Sequence, residues 1–509
     1  MGSVVGMVSA CSSTPEALGR NEQPLESALT GDSPPTSEGT QDETAIAVIN
    51  FETRRTVVAT YNDGTAQPKL RLDATTRHVK AGASLAGWST SDDDGGTWQY
   101  RGRVAPPPGW SVLWGDPAIV ASRTNQNLVF ISNLAVPTSK FPTSCPDGGT
   151  PCIDGAFTDS FGQSPYLGGA CILRSTDSGR TFTSNASDCL HVSNHFYDGG
   201  SLVGDNDGNI YAAFVDVVDD AVDVWRLRNG DPTFVRLARP FNKFKMESHP
   251  RLRYDVGTDR IYVMAQADSV PVPGVPGDFT ATVVLDWLEA GTWHGGVRVT
   301  QNSLLYPSIS FSTNLADPFI RTGPQFSFDV GDASVNHDDD IRVAFTARRS
   351  DGRRYVGVSR CPRSPIDVTL TGSGKCVESA EWGTAYQPGQ QWNPIVRSEL
   401  GFIGVPPDWR LTFTSNTDET AQFAVNWRYC PLAVIGSGTR TCVQFLIGAH
   451  RPICPDRRGQ LGDYDDMQVL SVSASGQSTF LRAHFDSQPT CGYRWKFTSD
   501  PLHLQSVTF

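Results

Sequence analysis

From residue 45 onward the chain alternates short apolar runs with polar breaks. "AIAVIN", "TVVATYN", "LVFISNL", "NIYAAFVDV", "RIYVMAQA", "IRVAFTARR" and "FAVNWRY" are rich in β-branched and aromatic residues, and clusters of Gly, Asp, Asn and Pro bound them. No stretch keeps the 3.6-residue periodicity of a long helix, and no apolar run is long enough for a membrane-spanning helix. The pattern therefore predicts an all-β chain of short strands.

Several of these runs open with a related phrase: "GDPAIV" at 115, "YDGGSLV" at 197, "SHPRLRY" at 248, "LYPSISF" at 305, "QWNPIVRS" at 391 and "LGDYDDMQV" at 461. With an N-terminal unit at 45–104, the phrases mark seven units of about 45–75 residues. A sandwich has no reason to reuse one opening phrase. A ring of sheets does, because each sheet buries itself against the next and few edges stay exposed. The expectation is a β-propeller of four-stranded blades over 45–509, seven blades favoured, with six and one long insertion as the alternative.

Composition narrows the function classes. The 509 residues carry a net charge of -12, which argues against a nucleic-acid binder that must displace counterions with basic patches. Gly (48) and Pro (34) supply the turns that short strands need. Residues 1–44 read as a separate segment. "MGSVVGMVSAC" is small and apolar, and Val8-Ser9-Ala10-Cys11 resembles a bacterial lipobox with Cys11 as the acylated residue, although no basic stretch precedes it. The polar, Pro/Ser/Gly-rich stretch after it reads as a disordered tether. Ten further cysteines fall as neighbours: Cys145 and Cys152, Cys171 and Cys189, Cys361 and Cys376, Cys430 and Cys442, Cys454 and Cys491. Sequence does not fix their connectivity. The second, third and fourth pairs bracket hairpins, and disulfides persist in oxidising compartments. The expectation is an exported monomer, an outer-membrane lipoprotein or an extracellular protein, touching a membrane only through Cys11.

Two turns share a pattern. "STSDDDGGTW" and "RSTDSGRTF" align as Ser-x-Asp-x-Gly-x-Thr-aromatic, through Ser91, Asp93, Gly95, Thr97 and Trp98 in one and Ser175, Asp177, Gly179, Thr181 and Phe182 in the other. An Asp accepting backbone N–H groups, a Gly with positive φ, a Thr restarting the strand and an aromatic packing the turn all serve hairpin closure. Asp92 and Asp94 have no counterpart in the second copy, so closure does not need them; calcium is the lesser alternative for the acidic run, and no other cofactor is expected. This pattern resembles the Asp-box, or BNR repeat, of the sialidase superfamily of β-propellers, and the ending "GDYDDMQVLSVSASGQSTFLRAHFDS" looks like the last blade of bacterial members. In that family the Asp-boxes lie at the blade periphery, away from the active site.

If the recurring phrases begin innermost strands, they bring Asp116, Asp198, His249, Arg251, Tyr306, Asn393, Asp463 and Tyr464 to one mouth of the central channel. The resemblance implies three arginines clamping a substrate carboxylate, a tyrosine–glutamate nucleophile and an aspartate acid/base. Arg251, Arg397 and Arg410 are the clamp candidates and Tyr464 the tyrosine candidate; the family's Arg-Ile-Pro segment is absent. Two readings follow. One is a glycan-active enzyme, a sialidase-type exo-glycosidase on terminal acidic sugars or a polysaccharide lyase with Tyr306 or His249 as base. The other is a non-catalytic propeller binding a glycan or another cell-surface ligand. There is no HExxH, GxSxG or P-loop, and "GDNDGN" at 204–209 reads as a hairpin turn.

Overall fold

A computed structural model describes residues 41–50, 55–63, 79–80, 83–94, 97–138, 152–153, 168–193, 195–242, 244–271, 279–299, 309–310, 319–320, 326–331, 340–348, 354–362, 376–378, 391–398, 409–415, 426–431, 466–472, 478–484 and 503–508. Every regular element among them, bar one short turn of 3-10 type at Thr138, is a β-strand, so no helix there is long and apolar enough to cross a membrane.

The strands form a propeller of consecutive antiparallel meanders. Blade 1 is Gln41–Asn50, Arg55–Asp63, Ala86–Ser91 and Gln99–Arg103. Blade 2 is Trp110–Ala121, Val129–Pro137, Gly169–Ser175 and Thr183–Leu190, with the short strand Ala83–Ser84 added in parallel to its first strand. Blade 3 is Tyr197–Gly204, Ile210–Asp216, Ala221–Leu227 and Val235–Arg236, and blade 4 is Met246–Asp255, Arg260–Pro271, Phe279–Glu289 and Thr292–Arg298. Blade 5 is Phe326–Val330, Asp340–Arg348, Arg354–Pro362 and Val377–Glu378. Two three-stranded sheets follow, opening with Gln391–Ser398 and Asp466–Val472. Each first strand touches the first strand of the next sheet, and Asp466–Val472 touches Gln41–Asn50 to complete the ring.

The expected count does not match. Among the described residues five blades are four-stranded, not seven or six, because the opening phrases mark where a unit starts and do not register how many strands it holds. One phrase also misleads. The described part of "LYPSISF", Ile309–Ser310, pairs with Phe319–Ile320 in a separate two-stranded sheet; Phe326–Val330 opens blade 5 instead.

The core lies between blades. Ala47, Ile49 and Val58 of blade 1 meet Leu113, Ile131 and Leu173 of blade 2. Phe130 and Ile172 of blade 2 meet Tyr197 and Phe214 of blade 3, and Met264 and Leu285 of blade 4 meet Phe328 and Val343 of blade 5. Both faces of a middle strand are covered, which is why "IYAAFVD" is apolar without alternation and buried throughout. Outside blade 2, where Ala83–Ser84 pairs with part of it, the first strand of each sheet in the ring has one edge without a strand partner among the described residues. Side chains of neighbours close part of it: Leu252 N–H donates to Ser201 Oγ at 2.9 Å, and Val396 N–H donates to Ser327 Oγ at 2.7 Å. Asp329 ties the wall together, accepting Ser398 N–H at 2.8 Å and pairing with Arg253 at 3.4 Å.

Disulfides join Cys171 to Cys189 and Cys361 to Cys376. The first links residues directly opposite one another in blade 2. Cross-links of this kind fit an oxidising compartment. Cys152 and Cys430 lie in strands; Cys11, Cys145, Cys442, Cys454 and Cys491 lie outside the described residues, as does residue range 1–40.

Both aligned turns connect the third strand of a blade to its fourth. In the first, Asp93 Oδ1 accepts Ser91 Oγ–H and Thr97 N–H, each at 2.7 Å, and Oδ2 accepts Thr97 Oγ1–H at 2.6 Å. In the second, Asp177 repeats all three bonds with Ser175 and Thr181, at 2.7, 2.9 and 2.6 Å. Two details differ from expectation. Thr97 and Thr181 stay inside the turn, and the positive φ falls on Asp94 (60°) and Ser178 (62°) as well as on Gly179 (80°). Gly95 lies outside the described residues. Of the acids unique to the first copy, Asp92 joins blades: it accepts Thr56 Oγ1–H of its own blade at 2.7 Å and pairs with Arg180 of the second turn at 3.3 Å, while Asp94 pairs with Arg55 within blade 1 at 3.0 Å.

Candidate functional site

The recurring phrases encode one local device. In five first strands two residues oppose a single partner: Glu43-Thr44 against Tyr61, Asp116-Pro117 against Asn133, Gly199-Gly200 against Phe214, His249-Pro250 against Ala265, and Asn393-Pro394 against Phe413. These are β-bulges. Proline has no N–H to give to a ladder, so a bulge is where a sheet tolerates it, and three of the five hold Pro as second residue. Bulges re-aim side chains and concentrate at barrel rims and active sites. Here they stand in the first strands, the ones that touch from one sheet to the next around the ring.

Five of the residues singled out from the sequence map to these bulges. Asp116 sits in the bulge of blade 2, half-buried, at φ 50° after Gly115 at φ 130°. Asp198 stands just before the bulge of blade 3, half-buried, and its Oδ1 accepts Gly199 N–H at 2.9 Å. His249 and Asn393 are bulge residues, and half-buried Arg251 follows directly after the bulge of blade 4. Neighbouring bulges abut: a Cβ on Gly200 would lie 3.1 Å from Ser132 Oγ and 3.5 Å from the Asp116 carbonyl oxygen. Arg397 is buried and donates to the Val396 carbonyl, and Arg410 stands opposite it in the register of the first two strands of its sheet. Tyr306, Asp463 and Tyr464 lie outside the described residues.

A second group, missed from sequence, extends outward from this rim along blade 3. His195 Nδ1 and Asp216 Oδ2 are 2.5 Å apart, and Asp216 is fully buried. Arg239 donates to Asp216 at 2.6 Å, to Asp219 at 2.6 Å and to Asp223 at 2.7 Å. Asp223, also fully buried, further accepts Arg236 at 2.6 Å and Tyr197 Oη–H at 2.6 Å. Burial, then the bond to Asp223, pushes the Tyr197 phenol well above its ordinary range, so it stays a donor. The Arg239 guanidinium holds Asp219 below the usual carboxylate range. His195, Asp216 and Asp219 stand close enough to share a cation. Arg239 already donates to both of those carboxylates, so the charge a metal would bring is supplied by the guanidinium. No sequence motif announces this group: its members come from a connector, two strand ends, a turn and a distal linker, joined only when blade 3 folds.

Asn133 is the other residue that sequence did not single out. It is fully buried opposite the Asp116-Pro117 bulge, and neither its Nδ2 nor its Oδ1 has a partner among the described residues. The equivalents opposite the other bulges are Tyr61, Phe214, Ala265 and Phe413, so blade 2 alone places a carboxamide there.

No protein-family model matches the sequence, and no curated protein does. Among solved structures the chain is similar to the Hadza microbial sialidase Hz136, at 14% identity and TM-score 0.39, over 74% of this chain and 63% of the other, so it spans less than two thirds of that protein. It is similar to a polysaccharide lyase of family PL25, an ulvan lyase, at 11% identity and TM-score 0.46, over 92% and 94% of the two chains. It is also similar to the GH93 α-L-arabinofuranosidase of Fusarium graminearum, at 10% identity and TM-score 0.43, over 75% and 90%.

Proposed function

We propose that this chain is an exported glycan-active propeller whose ligand seats on the mouth ringed by the first-strand bulges. The observation that supports the reading is the shared bulge, which recurs at or beside Asp116, Asp198, His249 and Arg251 in the first strands of three consecutive blades. Two carboxylates on adjacent blades supply an acid for the leaving group, Asp198, and a negative charge facing the developing oxocarbenium ion, Asp116, and a guanidinium beside them supports recognition of an acidic sugar. The finer reading, a sialidase-type exo-glycosidase with Tyr464 as nucleophile, rests on the resemblance of the two turns to Asp-boxes. One propeller domain then runs from the strand that starts at Gln41, and the tether acylated at Cys11 ends before it.

The test is turnover of fluorogenic sialosides, uronides and arabinosides, together with binding of labelled acidic and neutral oligosaccharides. Asp116→Asn and Asp198→Asn are expected to cut kcat by about 10²–10⁴-fold, and Arg251→Ala to weaken acidic ligands more than neutral ones. A wild-type chain that neither binds nor cleaves any of these sugars refutes the reading. Binding without turnover selects the non-catalytic alternative, a glycan-binding surface propeller.

A further inference from the structure

His195 has the geometry of an oriented proton carrier. Its Nδ1 lies 2.5 Å from Oδ2 of Asp216, whose carboxylate is fully buried and accepts from Arg239 at 2.6 Å and from Val218 N–H at 3.1 Å. A carboxylate pinned from three sides accepts the Nδ1–H, fixes the tautomer and leaves the lone pair on Nε2. That nitrogen makes no bond among the described residues, and the ring keeps 19% of its surface exposed. Position adds the second argument. His195 lies in the connector 191–196, which carries the chain from the last strand of blade 2 to the first strand of blade 3. It therefore sits at the channel end of the blade 3 group, three residues before Asp198. The charged groups around the ring are Asp216 and Asp219 with Arg239, with Asp223 and Arg236 beyond them.

We propose that His195 is the general base of the mouth, with Asp216 as its positioning residue; the inference rests on the glycan reading above. Nε2 takes a proton from water as the water oxygen bonds to the anomeric carbon. The glycosidic C–O bond breaks, and the leaving oxygen takes the proton of the Asp198 carboxylic acid. The imidazolium then loses its proton to solvent and Asp198 regains one, so hydrolysis balances with water as sole co-reactant.

The experiment uses the full chain, the substrate wild type turns over fastest, and His195→Ala and His195→Gln. The expected result is kcat lower by about 10²–10⁴-fold with KM little changed, loss of the acidic limb of the kcat profile, and partial rescue of His195→Ala by imidazole. Equal thermal melting of His195→Gln and wild type shows that the fold is kept. Activity within about twofold of wild type in a folded His195→Gln overturns the proposal. So does a wild type that binds oligosaccharides without cleaving any, an outcome that leaves glycan binding standing. Absence of both binding and turnover removes the glycan reading itself.

Discussion

The indole N–H of Trp88 donates to the carbonyl of Gly179 at 3.1 Å, linking the third strand of blade 1 to the turn of blade 2 across 91 residues of chain. The same indole meets Phe182 edge-on, with ring centroids 5.5 Å apart. Gly179 lies at φ 80°, and a Cβ there would come 2.4 Å from Val58 Cγ2. The second turn is thus seated in blade 1 as well as closing its own hairpin. Gly179→Ala is expected to cost about 1–3 kcal/mol from backbone strain and overpacking together. Trp88→Phe is expected to cost about 1 kcal/mol or more for the orphaned carbonyl. Urea titration of both variants checks the order.

The acids of the two turns predict how the protein responds to low pH. Partial burial works to raise the Asp93 and Asp177 carboxyls, but the hydrogen bonds from Thr97 and Thr181 and from Ser91 and Ser175 outweigh it and hold both below 3.8. A folded-state value below the unfolded one means stability that is fully present above the unfolded value and lost as pH falls through the folded one. Asp93→Asn and Asp177→Asn should therefore destabilise at pH 7 and flatten the acid limb below about pH 4. Melting temperature against pH reads this directly, with Asp92→Asn as a comparison that neutralises the exposed pair with Arg180, worth about 0–1 kcal/mol, while its side-chain oxygen can still accept Thr56 Oγ1–H.

Removing Arg239 tests the blade 3 group. Arg239→Met leaves Asp216 with His195 and Asp223 with Arg236 and Tyr197, so neither buried carboxylate is left alone. The expected loss is roughly 2–3 kcal/mol, under the about 3–5 kcal/mol typical of an abandoned buried charge. Arg239→Lys, which cannot reach three carboxylates with one planar head, should recover only part of it. Chemical denaturation of the two variants settles the comparison.

Asn133 gives the opposite sign. Asn133 has no partner for its buried carboxamide among the described residues, a state that opposes folding, and an apolar group of similar shape removes that opposition. Asn133→Leu is expected to melt at or above the wild-type temperature. A clear drop in Tm would mean that the amide has a structural partner after all.

Much of the architecture was legible in the chain. The strands, the two hairpin turns and the start of most units follow from apolar runs, from Ser-x-Asp-x-Gly-x-Thr spacing and from repeated phrases. The phrases carried more than was read from them. "GDPAIV", "SHPRLRY" and "QWNPIVRS" place Pro117, Pro250 and Pro394 where a ladder must skip, which is a bulge signal and not simply a strand start. What stayed hidden depends on folding. Arg239 reaches Asp216 and Asp223 from a linker, and Asn133 is distinctive only beside Tyr61, Phe214, Ala265 and Phe413, a comparison that needs the register.

Every four-stranded blade is assembled from consecutive chain, so no strand of one must wait for a distant partner. Translated into time, each petal can set as it emerges from a ribosome or a translocation pore, leaning on the one made before it. The seam between Gln41–Asn50 and Asp466–Val472 brings early and late chain together, and among the described residues it is made by packing without a strand shared between the two sheets. The molecule is thus a wheel whose last spoke locks the rim, and that seam is where slow opening, and attack by proteases, should begin.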